Sequence, residues 1–176
     1  MTRDIWVISD THLNHNNIIK YCNRPFKTAS EMDWSMVENW NKVVKPQDKI
    51  YHLGDVYMKA SKGYIENLLS KLNGHKRLIL GNHDNGKDQI LQRYFEKIDV
   101  WRMFPEFNLL LTHIPVHEST LGINQNNSKR QLVNIHGHIH QNESPTKRHI
   151  NVCVEQINYT PIHIEELTQR AKKIVS

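Results

Sequence analysis

Five times along this chain a short apolar run stops abruptly at polar groups suited to holding a cation or moving a proton. Ile5 to Ser9 ends at Asp10-Thr11-His12, and Lys49 to Leu53 ends at Gly54-Asp55. Arg77-Leu78-Ile79-Leu80 ends at Gly81-Asn82-His83-Asp84, Asn108 to Thr112 ends at His113, and Leu132 to Ile135 runs into His136-Gly137-His138-Ile139-His140. Aliphatic segments of this length, bounded by glycine and polar residues, read as buried strands opening into turns. Asp10 and His12 sit two apart, so an extended backbone projects both to one side. In the Gly-Asn-His-Asp turn, Asn can offer a neutral oxygen, His suits proton transfer near neutral pH, and Asp can hold that imidazole. Taken alone, the same four residues are equally an Asx-rich loop.

Helical patterns separate these runs. Met32, Met36, Val37, Trp40, Val43 and Val44 form an apolar stripe from about Ser30 to Val44, with Ser30 and Asp33 as a capping box and Pro46 closing the segment. Further helices are expected over about 63–72, 88–97 and 164–175, and further strands over 100–104 and 149–154. This alternation predicts βαβ units with parallel central strands, whose functional loops gather at the strands' carboxyl ends. Asp10, His12, Asp55, Asn82 and His83 should therefore converge. The stretch from Leu13 to Lys27 reads as an Asn-rich and basic loop. His117 to Gln131 reads as a polar loop, either a substrate-facing flap or a surface excursion.

The 176 residues suit one domain, 1–176, without repeats or linkers. Ile5-Trp6-Val7-Ile8 is too short for a membrane span or an export signal, which makes the cytoplasm the expected compartment. Cys22 and Cys153 are too far apart for a zinc motif, and Cys153 reads as a small core residue. The formal net charge of +5 permits an anionic partner, but Lys129-Arg130, Lys147-Arg148 and Lys172-Lys173 are scattered pairs, not a nucleic-acid stripe. Arg24 could clamp a phosphate oxygen or serve as a packing element. His15 could reach a substrate. His52 and His136 fall inside expected strands and read as structural, His117 is ambiguous, and His75, His149 and His163 read as surface.

Together the motifs Asp10-x-His12, Gly54-Asp55, Gly81-Asn82-His83-Asp84, His113 and Gly137-His138-x-His140, in this order, resemble the calcineurin-like metallophosphoesterases. The resemblance covers nearly the whole chain and extends to Asn151-Val152 and Tyr159-Thr160-Pro161-Ile162, similar to the closing strands of compact bacterial and phage members. It implies a four-layer α/β/β/α sandwich, the metallo-dependent phosphatase fold, holding two divalent ions. By motif match Asp10, His12, Asp55 and His140 would hold one ion. Asp55, Asn82, His113 and His138 would hold the other, with Asp55 bridging. Carboxylate and imidazole without thiolate suit first-row divalent ions, and the resemblance favours manganese over iron, zinc or nickel.

The reaction so implied is hydrolysis of a phosphodiester or phosphomonoester by a metal-bridging hydroxide. His83 would be the general acid, with Asp84 orienting and charging it. The expected substrate is a small phosphoester or nucleotide-type molecule, with no membrane partner. A nuclease using the same centre is the enzymatic alternative, and a catalytically silent metal-binding scaffold the non-enzymatic one.

Overall fold

The computed structural model describes residues 4–58, 62–125 and 128–175. In chain order it contains β1 (Ile5–Ile8), α1 (Asn16–Tyr21), α2 (Ala29–Val43), β2 (Lys49–His52), α3 (Lys62–Lys71), β3 (His75–Ile79), α4 (Gln89–Tyr94) and β4 (Lys97–Asp99). There follow β5 (Trp101–Phe104), β6 (Leu109–Thr112), β7 (Gly122–Gln125), β8 (Ser128–Gln131), β9 (Val133–His136), β10 (His149–Asn151), β11 (Ile162–His163) and α5 (Ile164–Val175).

The strands build two main sheets, ordered β11-β1-β2-β3-β4 and β10-β9-β6-β5, plus the β7-β8 pair. β1 through β4 run parallel to one another, as do β6, β9 and β10, and antiparallel partners sit only at the edges. Parallel neighbours need crossovers, and α2, α3 and α4 supply them in the first sheet. Their apolar stripes, including Met32, Met36, Trp40, Leu68, Leu69 and Leu91, bury against Ile8, Ile50 and Leu78 of that sheet. A second core lies between the sheets, where Val7, Tyr51, Leu53 and Ile79 meet Phe104, Leu109, Leu111, Val133 and Ile135. α5 packs against β1 and β9 and adds Ile164, Leu167 and Ala171 to this core. Two sheets flanked by helices are thus the architecture expected of the motif set. Among the described residues no helix is long and apolar enough to cross a membrane.

Several local expectations are corrected. The N-cap of α2 is Thr28, whose side chain accepts from the Glu31 amide at 3.1 Å. Asp33 is not part of a capping box but is buried, taking the Asn14 amide and the Tyr64 hydroxyl. The stretch after Leu13 contains a short helix, α1, which its high Asn content masks. α4 stops at Tyr94, so Lys97 begins a strand. Within the polar segment from His117 to Gln131, the described residues form a 3-10 turn and the paired strands β7 and β8. His149 is buried, with Nε2 against the Val116 carbonyl at 2.8 Å, and is no surface histidine.

His52 illustrates how tightly β2 is tied to its neighbours. Its Nδ1 accepts from the Gly54 amide, and its Nε2 contacts Thr11 Oγ1, which itself donates to the Val56 carbonyl. These partners require a neutral ring. Burial, reinforced by nearby His113, lowers its pKa from 6.5 to about 3. The unfolded chain accepts a proton below pH 6.5 that the folded ring refuses until about 3, so this contribution to stability is complete above 6.5 and drains as pH falls. The slope from this one group is at most about 1.4 kcal/mol per pH unit. His52→Gln should be less stable than the parent at pH 7 in urea unfolding of metal-free protein. The difference should shrink by about 1 kcal/mol or more between pH 6.5 and 5, whereas a constant difference would exclude a neutral buried ring.

Candidate metal centre

The carboxyl ends of β1, β2, β3, β6 and β9 bring the polar turns together at one rim of the stacked sheets. The backbone there is unusual. Asp10, His12, Asp55, His138 and His140 have φ of 59°, 48°, 57°, 70° and 50°. Residues with a Cβ rarely adopt this left-handed region, and such conformers concentrate where the surroundings over-determine a functional geometry. Two glycines make the close approach possible. A Cβ on Gly81 would stand 2.2 Å from Asp55 Oδ1, and one on Gly137 would stand 2.2 Å from Asp10 Oδ2.

Among the described residues three groups of ligand atoms result, the atoms of each lying within 4.8 Å of one another. Two are built from the strand-end motifs: Asp10, His12 and His140 form the first, and Asp55, His113 and His138 the second, while in the third Cys22 and Glu155 flank His140. In the first, His12 Nε2 and His140 Nε2 each lie 3.8 Å from Asp10 Oδ1. In the second, His113 Nε2 lies 3.5 Å from Asp55 Oδ2, and Asn82 Oδ1 is 2.8 Å from His113 Nε2 and 2.9 Å from His138 Nδ1. Asp55 Oδ2 also stands 3.5 Å from His12 Nε2, which links the groups. Separations near 3.5 Å are long for hydrogen bonds but match two atoms about 2.1 Å from a shared cation.

The donor chemistry fits a cation. His113 Nδ1 donates to the Leu53 carbonyl at 2.7 Å, which leaves a lone pair on Nε2 of the neutral ring. That lone pair, Asn82 Oδ1 and Asp55 Oδ2 are three acceptors converging on one region. Asp10 Oδ1 and both ring nitrogens of His12 are buried without a hydrogen-bond partner among the described residues. Native proteins rarely leave buried polar atoms so, and a metal ion between Asp10 Oδ1 and His12 Nε2 would satisfy those two together. Burial pushes the Asp10 carboxyl above its ordinary range, against the opposing effect of His113. Burial likewise lowers the His12 imidazole to about 2, with His140 and Arg24 adding to the shift. A neutral imidazole is the ligating form, and a dication supplies the charge that a buried carboxylate lacks.

A model of the calcineurin-like phosphoesterase superfamily domain matches residues 4–155. The chain belongs to that superfamily. An uncharacterized protein of Methanocaldococcus jannaschii is 37% identical over 179 aligned residues, spanning 97% of this chain and 93% of its own. The gene 66 protein of Mycobacterium phage D29 is 26% identical, with 78% of each chain covered. The crystal structure of a protein of unknown function from Aquifex aeolicus superposes with a TM-score of 0.75 at 29% identity, covering 96% of this chain and 99% of that one.

In this calcineurin-like chain the residues around the ligands depart in part from the sequence expectations. Asp84 does not meet the His83 imidazole. Its carboxylate accepts from the Gly81, Asp55 and Val56 amides at 2.9, 2.8 and 3.0 Å, so it locks the β2 and β3 turns together. His83 is tied to Asp55 instead, through its amide on Oδ1 at 2.9 Å and its ring Nε2 4.0 Å from Oδ2. Its side chain is half exposed. Arg24 is buried and not available as a phosphate clamp, since its guanidinium donates to the Asp10 and Thr11 carbonyls and to Glu155. His15 packs 5.5 Å from the His12 ring, partly buried at the edge of the centre.

Three supporting groups carry no motif of their own. Ser9 Oγ and Cys153 Sγ donate to Asp10 Oδ2, which turns Oδ1 toward His12 and His140. Glu155 holds His140 Nδ1 at 3.0 Å while pairing with Arg24, and so orients Nε2 toward Asp10. Burial alone would raise the Glu155 pKa, but His140 and Arg24 outweigh it and keep the carboxyl ionised below its usual range. Partners of this type fix ring orientation and ligand basicity, and their loss weakens metal binding by about 10–100-fold. Glu155→Gln should therefore release a divalent ion to a competing chelator at a correspondingly lower chelator concentration. Unchanged affinity would reduce the Glu155–His140 contact to packing.

Proposed function

We propose that the chain is a dinuclear metal-dependent phosphoester hydrolase. The observation that carries this reading is Asp55 Oδ2, one carboxylate oxygen facing both His12 Nε2 and His113 Nε2 at 3.5 Å. Asp10, His12, Asp55 and His140 would hold one ion, and Asp55, Asn82, His113 and His138 the other. Membership of the calcineurin-like superfamily supports manganese as the working metal, and the all-nitrogen-and-oxygen donor set also accepts iron, zinc or nickel. Two ions so held would lower the pKa of a water between them and neutralise charge on the phosphoryl oxygens.

The remaining work falls to the chain. Asn82 and His83 are consecutive, so the turn that would bind one ion also presents an imidazole to the departing oxygen. His83 would give the proton from Nε2, which stands 4.0 Å from Asp55 Oδ2 and is not held by Asp84. Asp84 would hold the turn in register, because its carboxylate accepts from three backbone amides of the two ligand loops. The half-exposed His83 ring and the rim position of the turn support a small, freely diffusing phosphoester as substrate.

Manganese-dependent hydrolysis of 4-nitrophenyl phosphate and bis(4-nitrophenyl) phosphate is the direct test, and inactivity on both with metals loaded would sink the reading. His83→Ala should retain its metals and lower kcat by about 10²–10⁴-fold on alkyl esters, whose leaving groups need a proton, and less on nitrophenyl esters. Asp55→Ala should lose both ions in elemental analysis. A full metal complement in that variant would refute the shared carboxylate.

A further inference from the structure

The turn carrying Asn82 and His83 borders two cavities of different chemistry. The cavity on the His83 side, about 770 Å³, is lined by His83, Asn85, Lys87, Asp88 and Gln89 among others, and offers many hydrogen-bonding groups. The cleft on the Asn82 side, about 700 Å³, runs from Asn82 and His113 out to Leu80, Val100, Trp101, Met103, Leu110 and Ile114.

Strand alternation explains the apolar wall. Leu109 and Leu111 of β6 enter the core between the sheets, so Leu110 and Thr112 turn to the opposite face. Met103 and Trp101 of β5 stand across from them in register. Val100, Trp101 and Ile114 are 66%, 55% and 52% exposed, three of the four large apolar side chains exposed among the described residues. Scattered apolar residues need no explanation, but three on one cleft that ends at candidate metal ligands mark a ligand surface. The cleft's two threonine hydroxyls are already engaged as donors within the chain: Thr112 donates to the Ile114 carbonyl and Thr120 to the His117 carbonyl. A sugar or peptide arm would find few partners there.

Resting on the phosphoesterase reading above, we propose that the substrate is a phosphodiester with an apolar aryl or alkyl arm. That arm lies in the Trp101–Ile114 cleft and is retained, while the departing arm lies on the His83 side. A monoester has one arm, which leaves beside His83, and would leave the apolar cleft without a role. A nucleic acid is polar on both arms and does not match the asymmetry. Hydrolysis forms one bond from phosphorus to a water oxygen and breaks the bond to the arm beside His83. That arm departs as an alcohol or phenol with a proton on its oxygen, and the monoester of the apolar arm remains.

The test keeps the leaving group constant. Manganese-loaded enzyme is assayed on 4-nitrophenyl phosphodiesters with a phenyl or a methyl second arm, and on 4-nitrophenyl phosphate. The phenyl arm should raise kcat/KM about tenfold or more over methyl. In Trp101→Ala and Ile114→Ser that ratio should fall to within about threefold of one, and because it is read within each variant, differences in folded fraction cancel. Equal turnover of both diesters by the parent enzyme, or an unchanged ratio in both variants, overturns the proposal. Hydrolysis of the monoester with both diesters inert overturns it while leaving the phosphoesterase reading standing, and inactivity on all three removes that reading as well. A parent protein that sediments as a dimer and is dissociated by Trp101→Asp also overturns it, because a second copy then covers the cleft.

Discussion

The Asp55 carboxylate is 2% exposed, and its ion-pair neighbours among the described residues are all imidazoles: His12, His113 and His83. Oδ1 takes the His83 amide, Oδ2 faces the three rings, and the Asp55 amide is itself held by Asp84. Burying a carboxylate without a permanent cation carries a penalty of several kcal/mol. The chain nevertheless arranges two strand turns, a glycine without room for a Cβ and a second carboxylate to keep it there. A divalent cation at this point would satisfy the converging lone pairs together, which couples the stability of the rim to the ion it can hold.

The rest of the rim follows the same logic of enforced geometry. Left-handed backbone at a residue with a Cβ is disfavoured by roughly 1–2 kcal/mol, and five candidate ligands adopt it. Cross-loop hydrogen bonds hold them there: the Asp10 amide to the Gly54 carbonyl, the His12 amide to the Asp55 carbonyl, and the His138 amide to Asp10 Oδ2. The hydrophobic core between and beneath the sheets offsets this strain. The ligand groups are therefore positioned by backbone that the core, not the turns themselves, keeps folded.

Much of this was legible because it is written in short-range pattern. Each apolar run that ends in Asp, His or Asn is a strand feeding the rim, and the parallel order follows from the intervening helices. What escaped the sequence depends on long-range partners. Asp84 looks like the mate of His83 because they are adjacent, yet its carboxylate is directed to amides of Gly81 and of a loop 28 and 29 residues earlier. Arg24 looks like a phosphate ligand until the Asp10 and Thr11 carbonyls claim it. Glu155 carries no spacing signal, since its relation to His140 exists only after β9 and β10 pair. The pairing of β7 with β8 was hidden because their polar sequence lacks the alternation of a half-buried strand.

The bond from Arg24 to Glu155 spans 131 positions, and that from Cys153 to Asp10 spans 143. Residues as far apart as Asp10 and Glu155 must be present before the first ligand group is oriented. During translation at about 5–20 residues per second, the roughly 100 residues between Asp55 and Glu155 take on the order of 5–20 s to appear. Until that interval ends the nascent polypeptide displays Asp10 and His12 without Cys153 and without the Glu155 that aims His140. Competence to capture a cation at the first group is thus deferred until the ribosome has passed Glu155.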